Sequence, residues 1–290
     1  MSDFWLGILI GAALDLLILV PLVYFLLRRT EQRTQTMARK ARATERLAEL
    51  GMLTGGLAHE IKNPLSSVGL NIQLVQEDLV DLARTQEPSP EKIGRVQRRV
   101  DSLARETQRL RDILDDFLRY AGRMKLDRVP VDVNQLVTEL ADFFLPQAQV
   151  MGVRIRTELS PQSITLQADP ALLKQAMLNL MINATQAMAE ARSAQKPHGG
   201  ADELILRTRT HGPASNLEAV IDIIDTGPGI AAEVLPKIFQ PYFSTKKGGT
   251  GLGLPTTRRI IEEHQGHLHV HSDLGRGSDF SIHLTVKQSS

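Results

Sequence analysis

The strongest constraint on this chain is a long, narrow seam between residues 47 and 82. Its members recur at steps of three and four, as on one face of an α-helix. They are Leu47, Leu50, Thr54, Leu57, Ile61, Leu65, Val68, Ile72, Val75, Leu79 and Leu82. Because so narrow a stripe leaves most of the helix in water, the helix is stable only where another helix covers the stripe.

A second helix, from about Glu91 to Ala121, supplies that cover after a turn over residues 85–90. Its seam consists of Ile93, Val96, Val100, Leu103, Thr107, Leu110, Leu114 and Phe117. Two antiparallel helices with narrow stripes cannot bury them within one chain, so we predict a hairpin that dimerises into a four-helix bundle. A plain coiled-coil spacer has the same periodicity and stays open as the alternative.

His59 lies on the opposite side of the first helix from the seam. At about 100° per residue it is roughly 180° from the midpoint of Leu57 and Ile61, so its imidazole is expected in solvent, where it can act as a nucleophile. Pro64 removes the backbone hydrogen bond to Glu60 and is expected to bend the helix. Two consecutive steps of four in the seam at the same place predict local unwinding.

Glu60 is adjacent to His59, and Asn63 follows one helical turn later on the same exposed face. These three side chains offer a nucleophile, a general base and a group that positions water. Solvated Glu and Asn residues are common, so the trio alone is a weak indication of catalysis.

The first residues predict a membrane anchor over 1–27. Phe4 to Leu27 is a nearly continuous apolar stretch, long enough to span a bilayer. A cleaved signal peptide fits poorly, because no Lys or Arg precedes the stretch and no small-residue cleavage site follows it. A basic linker over 28–46 comes next, so the positive-inside rule places the rest of the chain in the cytoplasm.

Gly7, Gly11 and Asp15 share one face of that anchor. Small residues at this spacing let helices approach closely, and a carboxylate in the membrane costs about 2.5–3.5 kcal/mol. We therefore expect this face to contact a second transmembrane helix, from the dimer mate or from a separate membrane sensor. A tolerated irregularity in a plain anchor is the alternative.

Residues 128–290 mix strands with helices, which predicts an α/β sandwich. Asp169 and Pro170 begin a helix that ends near Ala191, and another helix ends near Gln265. Strands are expected at 153–159, 164–167, 204–210 and 218–225, and a closing hairpin at 267–272 and 279–286.

Two polar segments of this region are candidates for a ligand site. Asn179 and Asn183 belong to a polar helix stripe that either faces water or offers oxygen ligands to Mg²⁺. Asp225 ends an apolar strand and can accept a hydrogen bond from an amino group. Gly227 and Gly229, which follow it, allow a ligand to approach the backbone closely.

A third candidate, residues 248–254, is rich in glycine and opens a helix whose backbone N–H groups attract anions. Lys246 and Lys247 add positive charge. The segment is not a Walker loop, because the Gly-Lys-Ser/Thr ending is absent. Each of the three segments would be moderate or weak support when taken alone.

Together and in this order, the motifs resemble those of the sensor histidine kinases of two-component systems. The similar segments are residues 59–65 (H box), 179–184 (N box), 225–229 (first glycine box), 238–246 (F box) and 249–253 (second glycine box). The resemblance covers roughly residues 40–290. It implies a dimerisation and histidine phosphotransfer domain over 47–122. It also implies a catalytic ATP-binding domain over 128–290, with the sandwich fold of the gyrase and heat-shock chaperone ATPases.

By this resemblance the cofactors are ATP and Mg²⁺. Asn179 and Asn183 would approach the Mg²⁺–triphosphate, Asn183 as a metal ligand, and Asp225 would bind the adenine amino group. Residues 239–253 would form a lid over the nucleotide. The remaining nucleotide-binding residues would be Gly227, Gly229, Lys246, Thr250, Gly251, Leu252 and Gly253.

The resemblance also implies the reaction and the partners. His59 would take the γ-phosphoryl group while Glu60 accepts a proton, and the group would pass to an aspartate of a response regulator. Asn63 would orient water for dephosphorylating that regulator. The protein would be a homodimer, anchored by a single helix in the bacterial inner membrane.

Two positions depart from the family pattern: Gln240 stands where an acidic residue is frequent, and Pro255 follows the second glycine box. The net charge of +1 argues against a protein that coats nucleic acid, and the absence of cysteine excludes disulfides and thiolate zinc sites. The competing hypotheses are a membrane-tethered ATPase of the same fold, which the exposed His59 disfavours, and an inactive scaffold that only binds nucleotide or a regulator.

Overall fold

A computed structural model describes residue 51 and the ranges 54–84, 90–122, 124–194, 202–213, 217–246 and 249–286. Several predicted segments lie outside the described residues: the anchor with its Gly7/Gly11/Asp15 face, the basic linker, and residues 85–89 of the turn. Among the described residues, no helix is both long enough and apolar enough to cross a membrane. The chain divides into two compact units, residues 1–55 and 56–290. Apart from residues 54 and 55, which begin the first helix, every element described below belongs to the second unit.

The predicted helical hairpin is present. Helix α1 covers residues 54–83 and continues through Pro64, which is buried, and helix α2 covers Pro90–Ala121. The pairing is antiparallel, because Arg99 of α2 bonds to Asp78 of α1 at 2.7 Å whereas Arg109, further along α2, lies 3.9 Å from Glu60.

Several seam residues remain exposed in the single chain. Leu65 and Leu79 of α1 are 52% and 51% exposed, and Leu114 of α2 is 46% exposed. Exposed leucines at heptad-like spacing are what a second hairpin would cover, so a four-helix bundle remains our prediction for the dimer.

From residue 129 onward, the described residues form two sheets, three α-helices and the short 3₁₀-helix Leu235–Lys237. Strands β1 (Val129–Asp132) and β3 (Thr165–Ala168) pair in a small antiparallel sheet. The strands of the larger sheet are β2 (Arg154–Glu158), β4 (Glu203–His211), β5 (Glu218–Asp225), β6 (His267–Asp273) and β7 (Gly277–Thr285). Their order in the sheet is β2-β4-β5-β7-β6, in which β2 and β4 are parallel and the other neighbours antiparallel. The helices are α3 (Val133–Val150), α4 (Pro170–Ser193) and α5 (Gly253–Glu263).

One face of the larger sheet packs against the helices, as predicted for an α/β sandwich. Ile221 and Ile223 of β5 are buried in the same core as Phe144 of α3 and Met177 of α4. Because side chains alternate along a strand, Asp222 points to the other face, where Arg209 bonds to it at 2.9 Å. The sheet therefore has one apolar face under the helices and an opposite face on which charged and polar side chains alternate with apolar ones such as Val220.

Strand β1 and helix α3 were not predicted from the sequence. The signal for α3 was present. Asp132 caps the helix by accepting from the backbone N–H of Gln135 at 3.0 Å. Its buried residues have helical spacing: Val133, Leu136, Val137, Leu140, Ala141, Phe144 and Ala148.

Asp169 fixes the start of α4, as the Asp-Pro sequence predicts. Its carboxylate accepts from the backbone N–H groups of Ala171 and Leu172 at 3.0 and 3.1 Å, and from Asp127 in the preceding segment at 3.0 Å. Its own backbone N–H donates to Nε2 of His264, at the end of α5, at 3.0 Å. One residue thus joins α4, α5 and the segment that enters the domain.

We expect Asp169→Ala to destabilise the catalytic domain by about 2 kcal/mol, because it removes a helix cap and leaves the Asp127 N–H without its acceptor. For a domain of this size, the unfolding midpoint should fall by roughly 4–8 °C in a thermal melt. The control is Asp142→Ala, an exposed aspartate of α3. Equal midpoints for both variants would contradict the role given to Asp169.

Candidate active site

The predicted phosphoacceptor helix face is exposed as expected. His59 and Asn63 are exposed on α1, whereas Leu57 and Ile61 are half-buried. Glu60 is half-buried, with its carboxylate 3.9 Å from the guanidinium of Arg109. The His59 imidazole is therefore accessible to an incoming phosphoryl group, and the adjacent Glu60 carboxylate is partly shielded from solvent.

Asp225 is buried at the end of β5, beside the first glycine box. One carboxylate oxygen accepts from the backbone N–H of Gly227 at 2.9 Å. Burial raises the pKa of Asp225 to about 6, and the hydrogen bonds from Gly227 and Ser278 offset only part of that effect. A buried carboxylate of this kind is poised to accept a hydrogen bond from a ligand.

Two glycines hold backbone conformations that other residues rarely adopt. Gly229 has φ +67°, and a Cβ at this position would overlap the carbonyl oxygen of Asp273. Gly251, in the second glycine box, has φ +66°, and a Cβ there would lie 2.6 Å from the backbone of Tyr242. In both glycine boxes, another stretch of backbone therefore lies so close that only a glycine fits.

The polar stripe of α4 does not simply face water. The Lys246 ammonium donates to the backbone oxygen and Oδ1 of Asn183, both at 3.2 Å, and to Oε1 of Gln186 at 3.0 Å. Burial lowers the pKa of Lys246, and the carboxylates of Glu190 and Asp225 act against that shift. Two amide oxygens of α4 thus converge on one cation.

Asn179 and the second glycine box are also neighbours. The Asn179 amide lies 3.4 Å from the carbonyl oxygen of Gly253 and 3.5 Å from the Thr257 hydroxyl, at the start of α5. In the described part of the chain, no side chain caps the first turn of α5. Its backbone N–H groups therefore remain available to an anion.

The structure adds contacts between the lid and the hairpin that the sequence did not predict. The Thr250 hydroxyl donates to Asp116 of α2 at 2.7 Å. The ring of Tyr242 lies against Gly56 of α1, where any Cβ would overlap it. Burial, followed by the nearby Glu60 carboxylate, raises the pKa of Tyr242. A glycine within an amphipathic helix is a possible sign of such a close approach, because it weakens the helix by about 1 kcal/mol relative to alanine.

The predicted residues thus form two groups. The nucleotide-site candidates of α4, β5, the lid and α5 come together, whereas His59, Glu60 and Asn63 belong to α1. Tyr242 and Thr250 of the lid touch the hairpin. Lys247, predicted to add charge, lies outside the described residues.

Comparisons with known proteins agree with this division. Residues 49–122 match the family described as the His Kinase A (phospho-acceptor) domain. Residues 168–288 match the histidine kinase-, DNA gyrase B- and HSP90-like ATPases. The sensor histidine kinase ZraS of Escherichia coli (strain K12) is 32% identical over 279 residues, which are 96% of this chain and 55% of that protein. The chain belongs to the sensor histidine kinases of two-component systems.

One further relative and one solved structure are also similar to this histidine kinase. The sensory histidine kinase/phosphatase NtrB of Escherichia coli O157:H7 is 34% identical over 244 residues, covering 81% of this chain and 62% of that protein. The crystal structure of histidine kinase ThkA in complex with response regulator protein TrrA superposes with a TM-score of 0.61 at 24% identity, covering 84% of this chain and 64% of that chain. The chain spans about half the length of the ZraS relatives that it matches.

We expect ATP binding to release a proton from Asp225 near pH 6. The ligand's amino group favours the ionised carboxylate, which burial disfavours in the free kinase, so binding returns the raised pKa toward its ordinary value. Calorimetric titrations at pH 6 in buffers of different ionisation enthalpy measure the released protons.

The isosteric variant Asp225→Asn should bind ATP roughly 10- to 150-fold more weakly, which corresponds to about 1.5–3 kcal/mol for a hydrogen bond to a charged group. It should also lose the part of the proton release that comes from this carboxyl, leaving only that of the phosphates. Asp142→Asn serves as the control. Unchanged proton release in Asp225→Asn would refute the assignment.

Proposed function

We propose that this histidine kinase phosphorylates its own His59 from Mg²⁺-ATP and passes the phosphoryl group to an aspartate of a response regulator. The observation that carries the proposal is the convergence of Asp225, Asn183, Lys246 and the open start of α5 in one domain, which is joined to a helix that exposes His59. The first group suits a nucleotide and the second suits a phosphoacceptor.

In this proposal Asp225 accepts a hydrogen bond from the adenine amino group, and Gly227 and Gly229 keep the adjoining backbone open. The phosphates lie toward Lys246 and the first turn of α5, where Thr250, Gly251, Leu252 and Gly253 supply backbone N–H groups and a hydroxyl. Positive charge and free N–H groups at a helix start are a standard anion site.

The residues around Asn183 fit a cation. Its Oδ1 and the Oε1 of Gln186 already face one ammonium group, that of Lys246, so their oxygens point to a shared position that tolerates positive charge. Amide oxygens are suitable Mg²⁺ ligands, and we assign Asn183 as the ligand, with Asn179 beside it. Bound there, Mg²⁺ would neutralise charge on the phosphates.

Phosphoryl transfer forms a bond between an imidazole nitrogen of His59 and the γ-phosphorus, while the bond from that phosphorus to the β–γ bridging oxygen breaks. ADP leaves with the electron pair. The proton on the other imidazole nitrogen moves to Glu60, which is next to His59 and is shielded on one side by Arg109. The receiver aspartate then takes the phosphoryl group from His59.

The contact between Thr250 and Asp116 competes with nucleotide binding in this scheme. Thr250 is assigned to the phosphates, yet here its hydroxyl donates to α2. We infer that nucleotide binding and the docking of the lid on the hairpin exclude each other. The kinase therefore has to release the lid before the site can close over ATP.

The partners and location follow from the same reasoning. The exposed seams of α1 and α2 support a homodimer, and the response regulator named in the ThkA complex supports a receiver domain as the acceptor. The apolar stretch from Phe4 to Leu27 and the basic residues after it support a single-pass anchor in the bacterial inner membrane. A membrane sensor would bind the face of Gly7, Gly11 and Asp15.

We expect incubation with γ-labelled ATP and Mg²⁺ to label the chain in an acid-labile, base-stable form. His59→Gln should abolish the label because it removes the only nucleophile assigned to the reaction, and it should retain ATP binding. The matched control is His271→Gln, an exposed histidine of β6 that should label normally. Label that persists in His59→Gln would overturn the assignment, and a parent chain that binds ATP without labelling would favour the inactive scaffold.

A second prediction concerns Asn63, which we assign to the dephosphorylation of the regulator; the name kinase/phosphatase of the NtrB relative supports this role. Asn63→Ala should autophosphorylate at the parental rate. Its dephosphorylation of any receiver domain that His59 phosphorylates should slow by about 100-fold, as for loss of a group that positions a proton or water. The control is Gln76→Ala, an exposed amide on the same helix. Equal phosphatase rates would remove Asn63 from this role.

A further inference from the structure

Three histidines meet on the face of the larger sheet that is turned away from the helices. His267 and His269 are two residues apart on β6, so they point to the same side. His283 of β7 is the cross-strand partner of His267. The three side chains offer ring nitrogens that all lie within 4.8 Å of one another.

The rings are packed as a compact group. His267 and His283 are stacked, with ring centroids 4.4 Å apart, and His269 meets both edge-on at 4.9 and 5.3 Å. Burial lowers the pKa of His267, and the neighbouring imidazoles add to that effect. Imidazole binds metal ions in its neutral form.

A carboxylate orients one of these rings. Nδ1 of His283 lies 3.0 Å from Oε2 of Glu218, and since a carboxylate only accepts, Nδ1 carries the hydrogen. In the neutral imidazole this tautomer leaves the lone pair on Nε2. The His283 side chain is only 11% exposed, so this orientation is held from several sides. A carboxylate that fixes the tautomer of a histidine is the usual support of a metal-binding imidazole.

The backbone beneath the group is also fixed. Gly266 precedes His267, and a Cβ there would overlap the carbonyl oxygen of His283. The preceding Gln265 has φ +64°, a left-handed conformation that completes the tight turn from α5 into β6. Ligands held on paired strands with a constrained turn are positioned more reliably than ligands on loops.

We propose that His267, His269 and His283 bind one divalent transition-metal ion, Zn²⁺ in the first instance, with Glu218 as a positioning residue. Three imidazoles suit Zn²⁺, Cu²⁺ or Ni²⁺ rather than Mg²⁺, and leave a fourth position open to water or another ligand. Tetrahedral Zn–N bonds of about 2.0–2.1 Å put the ligand nitrogens about 3.4 Å apart, so nitrogens that lie within 4.8 Å of one another must approach by up to about 1.4 Å. The exposed His267 and His269 can do so by rotating their side chains.

This site is separate from the nucleotide site. Asp225 pairs with Ser278 at the beginning of β7, whereas His283 lies about 17 Å further along that strand at about 3.4 Å per residue. Because β6 is an edge strand of the larger sheet, its polar face is open to solvent. The proposal therefore stands whether or not His59 is the phosphoacceptor.

The test uses the full chain, purified without a histidine tag and titrated with Co²⁺ and then Zn²⁺. We expect one ion per chain, the visible absorption bands of tetrahedral Co²⁺, and loss of these bands when Zn²⁺ displaces cobalt. His267→Gln, His269→Gln and His283→Gln should each abolish the bands. Glu218→Gln should keep them but weaken binding about 10- to 100-fold, as for other supports of metal ligands.

The matched control is His271→Gln, which removes an exposed histidine from the same strand and the same face and should bind as the parent does. Retained ATP binding shows that the variants fold, and His267 and His269 are exposed enough for substitution to spare the core. A parent chain without saturable binding would overturn the proposal. So would parental binding in the three cluster variants, or equal loss in His271→Gln.

Discussion

Among the described residues, helices cover only one face of the larger sheet, and this asymmetry decides where the chain can do chemistry. The apolar face, with Ile221 and Ile223, is covered by the helices, and the end of β5 brings Asp225 close to α4 and the glycine boxes. The opposite face is left to charged pairs such as Arg209 with Asp222, and to histidines. One sheet therefore supports two unrelated groups of polar side chains, one at an end of the sheet and one on its open face.

The two buried ionisable groups of the nucleotide site are shifted in opposite directions by the same cause. Burial raises the pKa of Asp225 and lowers that of Lys246, so each charged form is disfavoured in the free protein. An amino group beside Asp225 and a phosphate beside Lys246 would relieve both costs at once. An adenine nucleotide has both features, so the electrostatics of the site agree with the ATP that the family match implies.

Local patterns in the sequence were enough to predict the hairpin, most strands and the start of α4, because these depend on periodicity and on capping residues close along the chain. The N box and glycine boxes were predictable in type but not in geometry. Periodicity cannot predict contacts between residues that lie far apart in the sequence. Three such contacts are the hydrogen bond of Lys246 to Asn183, that of Thr250 to Asp116, and the packing of Tyr242 on Gly56. The histidine cluster shows the same limit: alternation along β6 is visible in the sequence, but only strand register brings His283 beside His267.

The contact of Tyr242 with Gly56 makes the position of the lid depend on how α1 is rotated about its own axis. A glycine presents a bare patch of backbone on one side of a helix, and the ring occupies that patch. Turning the helix by one residue, about 100°, would bring the Leu57 side chain to the same place and leave no room for the ring. Axial rotation is a motion that a continuous helix passes along its length without stretching. The rotation of α1 about its axis therefore determines whether Tyr242 can stay in contact with the helix, and with it whether the lid is held or free.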